Sequence, residues 1–453
     1  MRVLIRNVVL CVCLATLLAG CATRSLFQPY PSQAQSWKSA LGPSGGASAI
    51  KRLQDGAESR DGVLYLQELG RVEQLAGDDR ASRDAFAGAF VHYQQNDEAA
   101  RLRASSLVSN TGALLINDNA RPYVAPDYER IYAHAYQALN YWADGDVTGT
   151  AVELRAAANE QRVAANRRDG EIADANSGAN DLDLSRYQGY FEGLDAAAGR
   201  VKASFQNAWT FYLSALFWEA HGEYNDALVD YKKALEIQPD LDFIKEDVQR
   251  VSRSLDGARP LRGQGLVAVL FEQGFVPERQ PLSLPIPTPH GIFVVSFPTY
   301  GLQGKPAPYP LTVRAGALES KTRVLADVGG LAAKNLREQV PGLLLRQTLR
   351  ATAKYNLQKK ANDDFGPVGA LFTQLFNVVS EQADLRGWLS LPAYGQATRL
   401  LLPPGQQTLI LSTPGGSATL TVPVVEGGLT VIHVAAPPGR LLTRVLPVQE
   451  GAL

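Results

Sequence analysis

The side chains able to do chemistry in this 453-residue sequence are few and widely spaced. Five histidines, His92, His134, His221, His290 and His433, fall one to a region. None stands in an HExxH or other paired spacing, so the pattern offers no ligand set for zinc and no metal is expected. No G-x-S-x-G elbow occurs, and Ser417 in Gly415-Gly416-Ser417 belongs to an expected hairpin where a base would have to arrive by luck. Gly263-x-Gly265-x-x-Ala268 has the letters of a dinucleotide fingerprint but leads into a strand. Pyrophosphate binding needs the glycines after a strand and at a helix start, so no cofactor is expected.

One group stays in play. Asp384, Arg386 and Trp388 stand at alternate positions, so a carboxylate, a guanidinium and an indole can line one side of an extended segment. One reading is a bidentate ion pair that pins a helix-to-sheet junction; the other is a ligand site for a carboxylate or a sugar. Asp118 and Asn119 are candidate partners, or residues that cap a turn.

The N-terminus carries an address. Residues 1–20 run as a basic start with Arg2 and Arg6, an apolar stretch Val8–Leu18 and a small-residue exit, the order of a signal peptide. The stretch is shorter than a spanning helix requires. Leu18-Ala19-Gly20-Cys21 resembles the bacterial lipobox at all four positions. The resemblance implies a lipidated Cys21, and Ala22 in place of Asp implies the outer membrane. One acyl chain holds a protein marginally, whereas the three chains of such lipoproteins make a stable anchor. Residues 21–60, rich in Ser, Gly and Pro, read as a flexible tether.

The chain has 44 Lys+Arg and 45 Asp+Glu; losing Arg2 and Arg6 with the leader leaves a net charge of −3, which gives no footing for nucleic acid. The three cysteines are Cys11, Cys13 and Cys21, so a mature chain lipidated at Cys21 has no thiol for disulfides or catalysis. With 45% hydrophobic residues there is material for two ordinary cores.

The expected fold class is α+β. Residues 61–258 show apolar positions at i, i+3, i+4 and i+7 and few prolines, hence helices. Gly222-Glu223-Tyr224-Asn225-Asp226-Ala227 with Tyr231, Ala234-Leu235 and Pro239 resembles half of a tetratricopeptide repeat, and looser copies centre on Gly77 and Gly145. Ser82 and Thr150 replace the usual alanine in those copies. Stacked pairs leave a concave face, toward which Tyr132, Leu139 and Trp142 of the second copy and Trp209, Tyr212, Leu216 and Glu219 of the third would point. Such rings suit a protein-binding groove, or are core residues covered by the nonrepeating segments.

After residue 259 the texture turns to short Val/Leu/Ile/Thr runs separated by Pro and Gly, read as an antiparallel sandwich. A helical insert spans about 329–384, with a break at Gly366-Pro367 and a basic face that would cover the sheet or lie on a membrane. Ser380–Trp388 with Leu391-Pro392, together with Leu115–Asn119, Pro122-Tyr123 and Tyr128-Glu129-Arg130, resembles an uncharacterised family of outer-membrane lipoproteins with tetratricopeptide-like repeats. That resemblance implies architecture and address, without an activity. The expectation is a noncatalytic scaffold for periplasmic or outer-membrane proteins; the alternative is a cell-wall glycan or peptide binder or hydrolase using the Asp384/Arg386 region. Radiolabelled fatty acid is expected to label the natural chain and not Cys21→Ser; equal label in both would overturn the anchor.

Overall fold

The computed structural model describes residues 28–41, 47–105, 121–178, 183–259, 261–288, 291–301, 306–380 and 382–448. The leader, Cys21, Asp118 and Asn119 lie outside the described residues. Ten helices precede the first strand among the described residues: α1 (Tyr30–Ala40), α2 (Ala47–Ala57), α3 (Gly62–Ala76), α4 (Asp79–Ser105), α5 (Asp127–Ala143), α6 (Val147–Gly178), α7 (Gln188–Ala198), α8 (Ala208–Ala220), α9 (Tyr224–Ile237) and α10 (Asp242–Leu255). None of the described helices is long and apolar enough to cross a membrane.

Three helix pairs turn on the three expected glycines. Gly77, Gly145 and Gly222 join α3 to α4, α5 to α6 and α8 to α9, with φ of 91°, 75° and 76°. Glycine takes this left-handed region without the Cβ clash other residues meet, and so ends a helix cleanly. Ser82 and Thr150 are fully buried in their pairs. Their hydroxyls donate to the carbonyls of Gly70 (2.6 Å) and Asp146 (2.7 Å), so neither leaves a polar group unpaired in the contact.

The β half holds eleven strands among the described residues. A five-stranded sheet has the order β11 (Leu442–Leu446), β10 (Leu429–Ala436), β1 (Gly265–Gln273), β7 (Tyr394–Leu402), β6 (Arg323–Asp327). A four-stranded sheet runs β5 (Leu318–Lys321), β4 (Thr312–Ala315), β8 (Gly405–Thr413), β9 (Gly416–Val424). A separate hairpin pairs β2 (Gln280–Thr288) with β3 (Gly291–Thr299). The sheets stack through Val267, Val269 and Phe271 of β1 against Val313 of β4, Leu409 of β8 and Val422 of β9. The sandwich is not wholly antiparallel: β1 and β10 pair in parallel, Leu266 opposite Leu429 through Gln273 opposite Ala436. α11 (Val328–Ser380) lies between β6 and β7 as one helix, continuing through Gly366-Pro367 where a break was expected.

The other face of the five-stranded sheet is also covered. All nine residues of β1 are buried, and the alternate set Leu266, Ala268 and Leu270 joins one hydrophobic cluster with Tyr132, Trp209 and Leu213 of the helices. A strand covered on both faces reads as a continuous apolar run, as this one does. The side of the helices that carries Tyr132, Trp209 and Leu213 is covered by the chain's own sheet.

Two further expectations do not hold. The segment expected as a flexible tether folds within 21–60: Tyr30, Ala34, Trp37 and Leu41 of the α1 region and Leu53 of α2 are buried in the main core. Lys38 also pairs with Glu278 at 2.7 Å. Its Ser and Gly content is compatible with short helices because Tyr30, Ala34 and Trp37, at i, i+4 and i+7, supply a buried stripe. The second correction concerns the expected groove. Tyr132, Leu139, Trp142, Trp209, Tyr212, Leu216 and Glu219 are all buried rather than presented on an open face. Trp142 donates its Nε1–H to the Pro447 carbonyl (2.7 Å), and Trp209 lies over β7 at Gly395.

A Cβ on Gly395 would sit 2.8 Å from Trp209 Cγ. Gly395→Ala is therefore expected to lower stability by about 1–3 kcal/mol through overpacking, read as a shifted urea midpoint. An unchanged midpoint would mean that the sheet is not seated on α8.

Candidate binding site at the helix-to-sheet junction

The extended segment after α11 is held by carboxylates that reach it from the helices. Arg386 donates from Nε and Nη2 to the two oxygens of Asp384 (2.8 and 2.7 Å), and from Nη1 to Asp61 Oδ1 (2.6 Å) and the Arg121 carbonyl (2.8 Å). Burial alone would lower the Arg386 pKa and raise that of Asp384. Their mutual attraction, with Asp61 assisting Arg386, reverses both shifts and keeps the pair ionised. Of the two readings of Asp384 and Arg386, the geometry matches the pinned junction, since the guanidinium's donors are already used.

Two glutamates continue the clamp. The backbone N–H of Trp388 donates to Glu129 Oε1 (3.0 Å), and those of Leu389 and Ser390 donate to Glu68 Oε1 and Oε2 (2.7 and 3.0 Å). Unpaired backbone donors are costly inside a protein, and here side chains of α3 and α5 serve where a sheet partner would. Tyr123 and Tyr128 add hydroxyl donors to Glu129 (2.8 and 3.1 Å). Burial pushes the Glu68 carboxyl up to about 7 against the donors of Leu389 and Ser390. Trp388, 1% exposed, packs its ring 5.9 Å from Phe86 and 5.8 Å from Tyr136, so it acts as core.

Beside this clamp lies a cavity of about 490 Å³, within the range of small-molecule sites. Its walls come from α4, the 121–127 segment, α6, Arg279 just before β2, Pro298 of β3, one face of α11 and the Asp384/Arg386 segment. Among the wall acids, Asp384 is held by Arg386, while Asp127 and Glu171 both contact Arg167 (2.6 and 2.5 Å). Arg279 also lines it, donating Nε–H to the Tyr300 hydroxyl (3.1 Å).

A second concavity of about 460 Å³ lies on the outer side of the helices. Phe205, Phe211 and Ile237 contribute apolar surface to it, and Arg155, Arg162 and Lys233 stand around it. Lys233 Nζ sits 5.0 Å from the Phe211 ring centre, a cation–π distance. Glu219 and Tyr212, expected at a groove on the other side, are tied into a buried network instead. Tyr212 donates to Asp247 (2.9 Å), Tyr231 donates to Glu219 (2.7 Å), and Arg250 pairs with both acids. Among the described residues no group of three His, Cys, Asp or Glu could hold a metal ion.

Sequence reasoning missed Glu68, Glu129, Glu272, Arg279 and Asn335 as individual residues. Glu68 had a signal, because it stands four residues from both Leu64 and Val72 on a buried stripe where a charge needs a partner. Glu129 enters the sequence reading only within Tyr128-Glu129-Arg130. Arg279 and Asn335 carry no local signal, since nothing in their neighbourhoods says that chain far away leaves a space beside them.

Glu272 anchors the sheet to α3. Arg71 Nη2 lies 2.5 Å from its Oε2, Tyr136 donates to Oε1 (2.7 Å), and His433 Nε2 is 3.0 Å from Oε2. Burial would raise this carboxyl, but Arg71 and His433 outweigh it and hold it down at about 2 against an ordinary 4.5. A depressed native pKa contributes stability above the unfolded value that is lost as pH falls through the folded one. The chain is therefore expected to lose on the order of 3 kcal/mol from this group between about pH 4.5 and pH 2. Glu272→Gln should be less stable at pH 7 and show a flatter pH profile in denaturant titrations. Parallel profiles for the two proteins would refute the role.

No family model, curated protein or solved structure matches this chain.

Proposed function

We propose that this chain is a noncatalytic lipoprotein of the bacterial cell envelope, moored to the outer membrane through Cys21, whose body docks periplasmic or outer-membrane proteins. In this reading the three helix pairs are tetratricopeptide-like repeats that have accepted their own sheet as a permanent occupant of the hollow. Partner docking then moves to the outer side of the repeats. The observation that carries it is the concavity between α6, α8 and α9, where Phe205, Phe211 and Ile237 lie among Arg155, Arg162 and Lys233. Its basic residues outnumber the single acid Glu236. An acidic segment of a partner protein, with apolar side chains for the floor, complements that surface.

A second reading, recognition of a cell-wall glycan or peptide, is supported by the cavity beside Asp384 and Arg386. Binding suits that cavity better than hydrolysis, because each carboxylate on its wall is held by an arginine.

Substituting Trp209 or Tyr212 would test the core, not docking, because both are fully buried. The decisive variant is Arg162→Glu with Lys233→Glu, both on the outer surface. In crosslinked envelopes, a partner recovered with the natural chain should fall by roughly tenfold with the double reversal, and earlier in rising salt. Unchanged recovery from a variant with an unaltered unfolding midpoint would reject the groove.

A further inference from the structure

We infer that the junction cavity is a binding site for a small organic carboxylate, gripped by Arg279 and Asn335. This deepens the second reading above and rests on it for the cavity, while owing nothing to the lipid anchor or to the outer groove.

The argument begins with charge. Five guanidiniums line the cavity against three carboxylates. The acids are already engaged: Asp384 takes both of its oxygens to Arg386, and Asp127 and Glu171 share Arg167. Arg279 remains a permanent cation at the wall, because guanidinium does not deprotonate in proteins. Among the described residues its hydrogen bonds go to the Tyr300 hydroxyl at 3.1 Å and, at the limit of 3.5 Å, to the Asp384 carbonyl. Both acceptors are uncharged, and Asp384 and Glu129 act on Arg279 only through space, without a direct ion pair to it among the described residues, so its planar fork keeps donors for the cavity.

The amide of Asn335 points to the same ligand independently. This α11 residue lines the cavity and is 9% exposed. Its Oδ1 accepts from Gln339 (3.4 Å), yet its buried Nδ2 has no hydrogen-bond partner among the described residues. Native interiors rarely leave such a donor unpaired, and a site built to bond an absent group is one reason they do. A guanidinium fork and an amide donor together match an oxyanion with two acceptor oxygens. Leu336, Leu343 and Pro298 on the wall give that anion an apolar companion surface, which favours an organic acid over inorganic phosphate. Exposed Arg121 and Val124 mark the mouth.

A carboxylate of this size could be the free end of a peptide or the acid of a sugar, and the test separates them. Calorimetric titration of the purified full chain uses N-acetylalanine, glucuronate, inorganic phosphate and the uncharged N-acetylalanine methylamide. One of the two organic acids should bind, with the methylamide silent and phosphate weaker. Arg279→Gln should weaken the binding acid by roughly tenfold or more and Asn335→Leu by several-fold. Asn335→Leu keeps every charge in place and removes the unpaired donor, so it tests the site even if Arg279→Gln fails to fold. Failure of both acids to bind, equal binding of the methylamide or phosphate, or unchanged affinity in Asn335→Leu would each overturn the proposal. Acid binding without partner recovery would sink the docking reading alone, and the converse would sink this one alone.

Discussion

A sheet covered on both faces is the constraint from which the rest of this architecture follows. β1 cannot meet water on either side, so one face takes the second sheet and the other takes α5 and α8. Apolar burial of that extent supplies the driving force, at about 25 cal/mol per Å² removed from water. It also explains α8, whose thirteen residues are all buried: a helix wedged between a sheet and its neighbouring helices keeps little beyond an edge of Phe211 toward solvent. The helical and β halves therefore complete one another's core rather than meeting as two finished bodies.

Joining halves from distant parts of a chain brings polar groups into the seam, and their treatment is consistent. Glu272 of β1 meets Arg71 and Tyr136 from the helices; Asp247 of α10 meets Arg399 of β7; Glu68 and Glu129 meet the backbone of residues 388–390. Glu272 and Asp247 are paired with arginines, while Glu68 and Glu129 are met by N–H and O–H donors, so each buried carboxyl has hydrogen-bond partners, the condition under which burial is tolerated. Such networks add little net energy compared with an apolar seam, but they penalise any register that leaves one member alone. The fixed geometry of the Asp384/Arg386 clamp is what gives the neighbouring cavity a defined wall.

This division bears on function. The residues with the most conspicuous chemistry in the sequence, the aromatic rings of the helix pairs and the Asp384/Arg386/Trp388 group, are occupied with holding the fold. In the proposed reading, surface and cavity residues of plainer appearance are the ones that meet partners: Arg162 and Lys233 on the outer face, Arg279 and Asn335 in the junction cavity. A side chain can serve recognition only with bonding capacity left over, and that of the clamp residues is largely spent on one another and on nearby backbone.

The primary structure by itself determined what depends on local pattern. Gly77, Gly145 and Gly222 were readable because a left-handed turn needs glycine whatever surrounds it, and they appear with positive φ. The change from helix to strand near residue 260 was readable from periodicity, as were the short Val/Leu/Ile/Thr runs of the C-terminal half. β2 was not, because Pro281, Pro285 and Pro287 argue against a strand; as half of an isolated hairpin it has a free edge where the missing donors do no harm. Only the tertiary structure decided which apolar face met which. Tyr132 and Trp209 have the same sequence pattern whether they line an open groove or pack under a sheet, since the hydrophobic effect has no direction and does not name its partner. The parallel pairing of β1 with β10, the folding of residues 30–41 and 47–57 onto the body and the space beside Arg279 are likewise products of contacts between segments far apart in the chain. Local propensity carries no record of them.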